Sequence, residues 1–269
     1  VRYAYAHSVY YKKIMNDRHF HPNDLQKLSD IEALPVLTKT LIQNNLNDLI
    51  SDEYTKDQLV QDASGGSTGE PTIYYKDWDH HNLRRADQIR HDRWSGWDIG
   101  KRSALIWGAQ RDLKAVRSIR EHIISRYIER RWELDAFEMT HEKMNGYTRQ
   151  LEKIKPSMIL GYANALTVYA QHLLDNSPNH TIRPEGIISS AETLTSTGRA
   201  IIESAFHCKV LNRYGSREVG LIASECKTQE GLHINADNLY VEILKEEKPV
   251  PDGDSGDIVV TDFWNFGMP

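Results

Sequence analysis

The chain has 269 residues, is 39% hydrophobic and 26% charged, and carries a net charge of −5. That length supports a sizeable core in one large or two small domains, and the acidic balance gives no reason to expect a nucleic-acid partner. Two cysteines, Cys208 and Cys226, exclude a disulfide scaffold. No apolar run approaches the ~18 residues of a membrane span and no signal peptide is visible, so a cytoplasmic protein is the expectation. The sequence opens on Val1 and stops at Met268-Pro269 directly after a strand-like run, and it reads as a piece of a longer protein.

Residues 1–60 read as a helical lead-in. A polar, aromatic stretch with Tyr3, Tyr5, Tyr10 and Tyr11 leads to a loop at His21-Pro22-Asn23-Asp24. Asp24 is placed to cap a short helix through Leu25 and Leu28, and Thr38 to cap one through Leu41, Ile42, Leu46 and Leu49.

Residues 61–228 read as an α/β core. It opens with Ser64-Gly65-Gly66-Ser67-Thr68-Gly69-Glu70-Pro71-Thr72, three glycines and four hydroxyl side chains in nine residues. Glycine lets a backbone turn through φ > 0 and approach a ligand, and such a turn aims several N–H groups at one anion. The stretch reads as a phosphate cradle between two strands, or as an ordinary Gly/Ser hairpin. It is not a P-loop, because the Gly-x-x-x-x-Gly-Lys-Ser/Thr spacing fails.

Residues 77–94 are helix-compatible, and Ser103-Ala104-Leu105-Ile106-Trp107-Gly108 reads as a buried strand ending at glycine. A helix is expected over 112–131. Its basic side, with Arg111, Lys114, Arg117, Arg120, Arg126, Arg130 and Arg131, reads as a solvated amphipathic face more readily than as an anion or partner surface. Helices are expected over 141–155, 163–174 and 196–207, and strands over 157–161, 186–190 and 209–212. Strands alternating with helices argue for layered sheets with flanking helices and parallel pairing. In such folds ligands collect at the carboxyl ends of strands, where 64–72, 190–192 and 212–218 fall. Residues 229–269 read as a small β subdomain, with strands at 239–244 and 257–261 joined by turn material at 251–256.

Beyond the strand at 209–212, Asn212 offers an amide that can read an amino group, Tyr214 a flat face for a base, and Glu218 a carboxylate for Mg²⁺, which prefers one or two carboxylates plus phosphate oxygens and water. Singly each also reads as a turn Asn, a half-buried Tyr and a solvated Glu. A phosphate loop and a base-plus-metal loop on two strand ends together describe an ATP site.

On these motifs the sequence resembles the adenylate-forming (acyl-CoA synthetase-like) superfamily, in particular its phenylacetate–CoA ligase and CapK-like capsular polysaccharide branch. The resemblance runs from Leu34-Pro35-Val36-Leu37-Thr38-Lys39 through the Gly-rich loop and Tyr214-Gly215-Ser216-Arg217-Glu218-Val219-Gly220 to Gly256-Asp257-Ile258-Val259-Val260-Thr261-Asp262. It implies that Ser64, Gly65, Gly66, Ser67, Thr68, Gly69 and Thr72 hold the β/γ-phosphates. Ser190, Ala191 and Glu192 line the adenine pocket, and Asn212, Arg213, Tyr214, Gly215 and Ser216 complete the nucleotide site. Glu218 binds Mg²⁺, with Thr68 and Arg217 beside the reacting phosphates, and Trp107 and Tyr214 flank the substrate pocket. Thr72 stands where many members carry Lys, and Arg217 where most carry Thr or Ser.

The implied activity is ATP-dependent activation of a small-molecule carboxylate as an acyl-adenylate, then transfer to CoA or to an amine such as an amino sugar. The family's ribose-binding Asp and lid Lys fall after Pro269, so the chain by itself is expected to adenylate poorly; the rival readings are a non-catalytic nucleotide-binding module and a partner-binding scaffold. Cys226 and His233 match half of a structural Zn²⁺ site found in some relatives, and read more readily as a buried thiol and a surface His.

Overall fold

The computed structural model describes residues 1–64, 71–108 and 124–269. The expected cradle residues Gly65, Gly66, Ser67, Thr68 and Gly69, and the basic side chains Arg111, Lys114, Arg117 and Arg120, lie outside them. The chain forms two compact units, Val1–Ala86 with Ser216–Ile222 and Ile234–Pro269, and Asp87–Gly215 with Ala223–His233.

In the first unit, α1 (Arg2–His7) and α2 (Val9–Asp17) occupy the polar, aromatic stretch that opens the lead-in. Ser8 separates them, and its Oγ accepts from Tyr11 N at 3.4 Å as the N-cap of α2. Asp24 does not start a helix. Its carboxylate accepts from His21 N at 2.7 Å and closes a single 3₁₀ turn over Pro22–Asp24. Thr38 does cap, accepting from Leu41 N at 3.3 Å, but the helix breaks at Asn45 into α3 (Lys39–Asn44) and α4 (Leu46–Leu49).

Strands β1 (Val60–Ala63) and β2 (Ile73–Lys76) pair antiparallel, Asp62 opposite Tyr74, and carry the Gly-rich connection. Helix α5 (Trp78–Asp92) follows, running on into the second unit. Strands β10 (Leu239–Lys245), β11 (Lys248–Pro249) and β12 (Asp257–Asp262) form the small sheet expected at the end of the chain.

That C-terminal segment belongs with the beginning of the chain for a specific reason. Asp77 Oδ2 accepts from Phe266 N at 2.8 Å and Gly267 N at 3.1 Å. Ser51 N donates to Gly267 O, Asn265 Nδ2 donates to Tyr75 O, and His80 Nε2 meets Asp262 Oδ2 at 2.7 Å. Gly267 is needed at this seam, because a Cβ there would come within 2.5 Å of Leu59 and 3.0 Å of the Asp77 backbone N.

The second unit is the layered α/β body. Strands β3 (Ser103–Trp107), β4 (Arg131–Asp135), β5 (Met158–Tyr162), β6 (Gly186–Ser190) and β7 (Val210–Ser216) pair in parallel in the order β4-β3-β5-β6-β7. Beyond β7 the same sheet adds β8 (Gly220–Ser224) and β9 (His233–Ile234).

The near-continuous apolar reading of these strands reflects burial on both faces. Ala104, Ile106, Ile159, Ile187 and Val210 face α6 (His141–Ile154), α7 (Ala163–Asn176) and α8 (Ser196–Phe206), packing on Leu151, Leu166, Tyr169, Ile202 and Phe206. Several of these side chains have no exposed surface, and each contributes about 1.5–3 kcal/mol of burial. Met158 and Ile188 face the other way, against Trp97 and Ile89.

Of the helix expected over 112–131, residues 112–123 lie outside the described residues; Ile124–Ile128 form a π-helical turn, and strand β4 already begins at Arg131. Residues 213–216 are strand and not loop, because β8 returns beside β7.

Candidate functional site

The parallel sheet ends in a row of the residues singled out by sequence. Register aligns Tyr162 with Ser190 and Ser190 with Arg213, and separately Gly161 with Ser189 and Ser189 with Asn212. Paired residues share a face and neighbours along a strand alternate. Tyr162, Ser190 and Arg213 therefore lie on one face, and Asn212 and Tyr214 on the other.

On β7, Asn212 is fixed by its backbone. Its N donates to Glu225 Oε2 at 2.7 Å and its O accepts from Glu225 N at 2.8 Å. Glu225 is buried, and Arg199 Nη2 holds both its carboxylate oxygens at 2.8 and 2.9 Å. The bonds recorded for Asn212 among the described residues are thus backbone bonds, and the amide is left to project. Tyr214, two residues on, keeps 43% of its surface exposed.

Arg213 behaves differently from its neighbours. Its guanidinium is buried against the buried carboxylate of Asp92, so it holds β7 to the end of α5. Sequence grouped it with the nucleotide residues; the strand's alternation puts it on the face of Ser190 and opposite Asn212 and Tyr214.

The loop after β6 is constrained too. Ala191 sits at φ +66°, a left-handed conformation that costs a non-glycine residue of order 1 kcal/mol or more. Glu192 Oε2 accepts from Asn164 N at 2.8 Å, which ties the loop to the first turn of α7. At the ends of β3 and β5, Trp107 stacks on Tyr162 with ring centroids 4.0 Å apart and planes at 27°. Tyr162 was missed by sequence, where it read as the residue closing a strand.

In the first unit, Ser64 and Thr72 close the neck of the Gly-rich connection. Thr72 N donates to Ser64 Oγ and Ser64 N to Thr72 O, both at 2.9 Å, and each residue is 3% exposed. The two hydroxyl residues thus shape the loop from inside its base. Lys76, 3% exposed, places Nζ 2.8 Å from Asp62 Oδ2 and 5.3 Å from the Tyr74 ring centroid. Burial lowers its pKa, aided by Arg84 and opposed by Asp62 and Glu218. Tyr74 is raised well above the usual phenol range by burial and then by the charges of Asp62 and Glu218. Glu218 and Arg217 are half-buried on the turn between β7 and β8.

The donor sets distinguish two metals. Among the described residues no group of three or more His, Cys, Asp or Glu side chains converges. A single carboxylate is a set that Mg²⁺ accepts when phosphate oxygens and water supply the rest. Structural Zn²⁺ takes four ligands. Cys226 Sγ and His233 Nε2 do meet, at 3.2 Å, with the Thr228 hydroxyl 3.1 Å from the sulfur, but the described set stops at two. The Cys226 thiol is lowered to about 7 by its bonds to the Thr228 hydroxyl and N–H and by His233. His80 and His81, adjacent in sequence, do not act together, since His80 is buried against Asp262. No helix among the described residues is long and apolar enough to cross a membrane.

No protein-family model matches the chain. It is similar to protein CapK of Staphylococcus aureus, 26% identical over 269 residues that cover 99% of this chain and 57% of that protein. It is similar to the phenylacetate-coenzyme A ligase of Aromatoleum evansii, 25% identical over 280 residues that cover 100% of this chain and 61% of the relative. Among solved structures, an open conformation of 2-hydroxyisobutyryl-CoA ligase in complex with 2-HIB-AMP and CoA superposes with a TM-score of 0.75 at 17% identity, over 99% of this chain and 59% of that one. The chain spans about three-fifths of the length of the relatives it matches.

Proposed function

Starting from its membership of the adenylate-forming, acyl-CoA ligase-like superfamily, we propose that this chain is the nucleotide- and carboxylate-binding part of an ATP-dependent ligase. It forms an acyl-adenylate, and the acyl group passes to coenzyme A. The observation that carries the reading is β7, with Asn212 and Tyr214 on one face of a strand end, the first pinned through its backbone by Glu225 and the second with an exposed ring. Asn212 takes the adenine amino group, Tyr214 stacks on the base, and the strained turn at Ala191 presents backbone beside it. Residues 64–72 take the phosphates, with Ser64 and Thr72 as the clasp, and Glu218 holds Mg²⁺. The Trp107–Tyr162 pair lies beside the carboxylate.

A carboxylate oxygen of the substrate bonds to the α-phosphorus as the bond to the bridging oxygen breaks, and pyrophosphate leaves with the electron pair. Two anions must be brought together, so the protein's work is positioning and charge neutralisation. Coenzyme A, when bound, supplies the thiol that accepts the acyl group. The likeness to CapK supports a second reading, in which the acceptor is an amine such as an amino sugar of a surface polysaccharide.

Calorimetric titration of Mg·ATP into the chain tests the nucleotide reading. Binding is expected, and Tyr214→Ala should weaken it by about 1–3 kcal/mol, the worth of stacking a base on an aromatic ring, or roughly 5- to 150-fold. No heat with the wild-type chain, or full affinity in Tyr214→Ala, overturns the assignment. Pyrophosphate exchange with phenylacetate, and trapping with CoA or with an amino sugar, then separates the two acceptors.

A further inference from the structure

The Gly-rich connection, residues 64–72, contains neither Lys nor Arg. A nucleotide triphosphate carries more negative charge than one Mg²⁺ cancels, so a cation has to come from elsewhere. Among the described residues of the first unit, two cations act on Tyr74 of the hairpin that carries this connection, Lys76 on β2 and Arg84 on α5.

Lys76 is already spent. Its ammonium is buried, paired with Asp62 and laid over the Tyr74 ring. Arg84 is half-buried and is built into the turn that bears Glu218. At Gly220, two residues past Glu218, a Cβ would fall 2.5 Å from Arg84 Nε and 3.2 Å from its Cζ and Nη2. Gly220 also sits at φ +83°. The glycine thus gives the turn its left-handed residue and makes room for the guanidinium. The charge of Arg84 also acts on Tyr74 and Lys76 of β2. Arg84 thus lies against the turn that carries Glu218 and within electrostatic reach of the hairpin strand.

We propose that Arg84 is the phosphate-binding cation of this site, its planar guanidinium contacting the β- and γ-phosphates of ATP and stabilising pyrophosphate as it leaves. This rests on the nucleotide reading above. Arginine suits the task because its fork of N–H donors matches phosphate oxygens and it stays charged at any working pH. In this arrangement Gly220 is the residue that lets the guanidinium reach past the Glu218 turn.

The test compares Mg·ATP, inorganic pyrophosphate and AMP as ligands for the wild-type chain, Arg84→Gln and Arg84→Lys. Arg84→Gln should lose about 10- to 100-fold in affinity for Mg·ATP and pyrophosphate, the worth of a charge-assisted contact, and keep its affinity for AMP, which has no β- or γ-phosphate. Arg84→Lys should recover part of the loss. Unchanged AMP binding also shows that the variant is folded. Equal losses for ATP and AMP, or no loss for either, overturn the proposal while leaving the nucleotide reading intact. A wild-type chain that binds neither nucleotide overturns the nucleotide reading, and this proposal with it.

Discussion

Replacing Asp92 by Asn should be among the most damaging single changes in the second unit. Asp92 and Arg213 are 121 positions apart, and their side chains are 5% and 7% exposed. Water has almost no access to take over the role of a lost partner, so the guanidinium is left buried without a counter-charge, at a cost of about 3–5 kcal/mol. Arg213→Met should cost a similar amount, because it strands the buried carboxylate. The pair itself is not worth that much. Arg213 Nε is buried with no partner among the described residues, and an unmet buried donor costs about 1–3 kcal/mol. The double variant Asp92→Leu/Arg213→Met removes both charges and the orphan N–H together. It should lie within about 1 kcal/mol of wild type, or above it. Urea unfolding followed by far-ultraviolet circular dichroism measures all three. The reasoning is refuted if Asp92→Asn costs less than about 1 kcal/mol, or if the double variant is as unstable as the sum of the two singles.

The Lys76–Asp62 pair should respond asymmetrically, since Lys76 is 3% exposed and Asp62 36%. Asp62→Asn strands a buried ammonium and should cost roughly 2 kcal/mol after solvent screening at the exposed end, whereas Lys76→Met leaves a carboxylate that can hydrate and should cost little. Burial works against ionising Asp62, but Lys76 and the Ala63 N–H outweigh it and hold the carboxyl below its usual range. Its contribution is therefore complete above about pH 3.9 and lost as pH falls through the lower folded value, so the acid limb of the stability curve should be shallower in Asp62→Asn. For the thiols, Cys226 is lowered to about 7 and burial pushes Cys208 up to about 12. Iodoacetamide near neutral pH should label Cys226, with a rate rising through pH 7, and reach Cys208 only on unfolding; equal labelling of the two in the folded chain contradicts this. His233→Ala should move the Cys226 midpoint upward.

The body of the fold was legible because its signals are local. Apolar runs such as Ser103–Trp107 and Gly186–Ser190 are short and bounded by polar turns, and the helices expected from 141 and 196 start there, each behind a capping Thr. The misses came where a local signal was overlooked. The expected helix was drawn on to Arg131, while the period-two alternation of Trp132 and Leu134 in β4 covers only five residues. Ser8 announces α2 by the same capping chemistry as Thr38, but the surrounding tyrosines obscured it. At the candidate site, residue types and spacing singled out Asn212, Tyr214 and Glu218. They could not show that Arg213 faces the opposite way, because that depends on β7 continuing through Ser216 beside β8 and on a partner 121 positions distant. Glu225 and Tyr162 were missed for the same reason, since each matters through a contact with another strand.

The seam that ties residues 51–80 to 262–267 has a bearing on how the protein is made. The second unit is nearly contiguous, and most of it is available once residue 215 has been synthesised. The first unit is not: Asp77, His80, Tyr75 and Ser51 wait for partners at the far end of the chain. At about 5–20 residues per second, the N-terminal segment spends roughly 10–35 s on the ribosome before that seam can close. During that interval the hairpin bearing the Gly-rich loop lacks the residues that fix its base, and nascent chains halted before Asp262 should lean on chaperones at this end of the molecule while the parallel sheet is already formed.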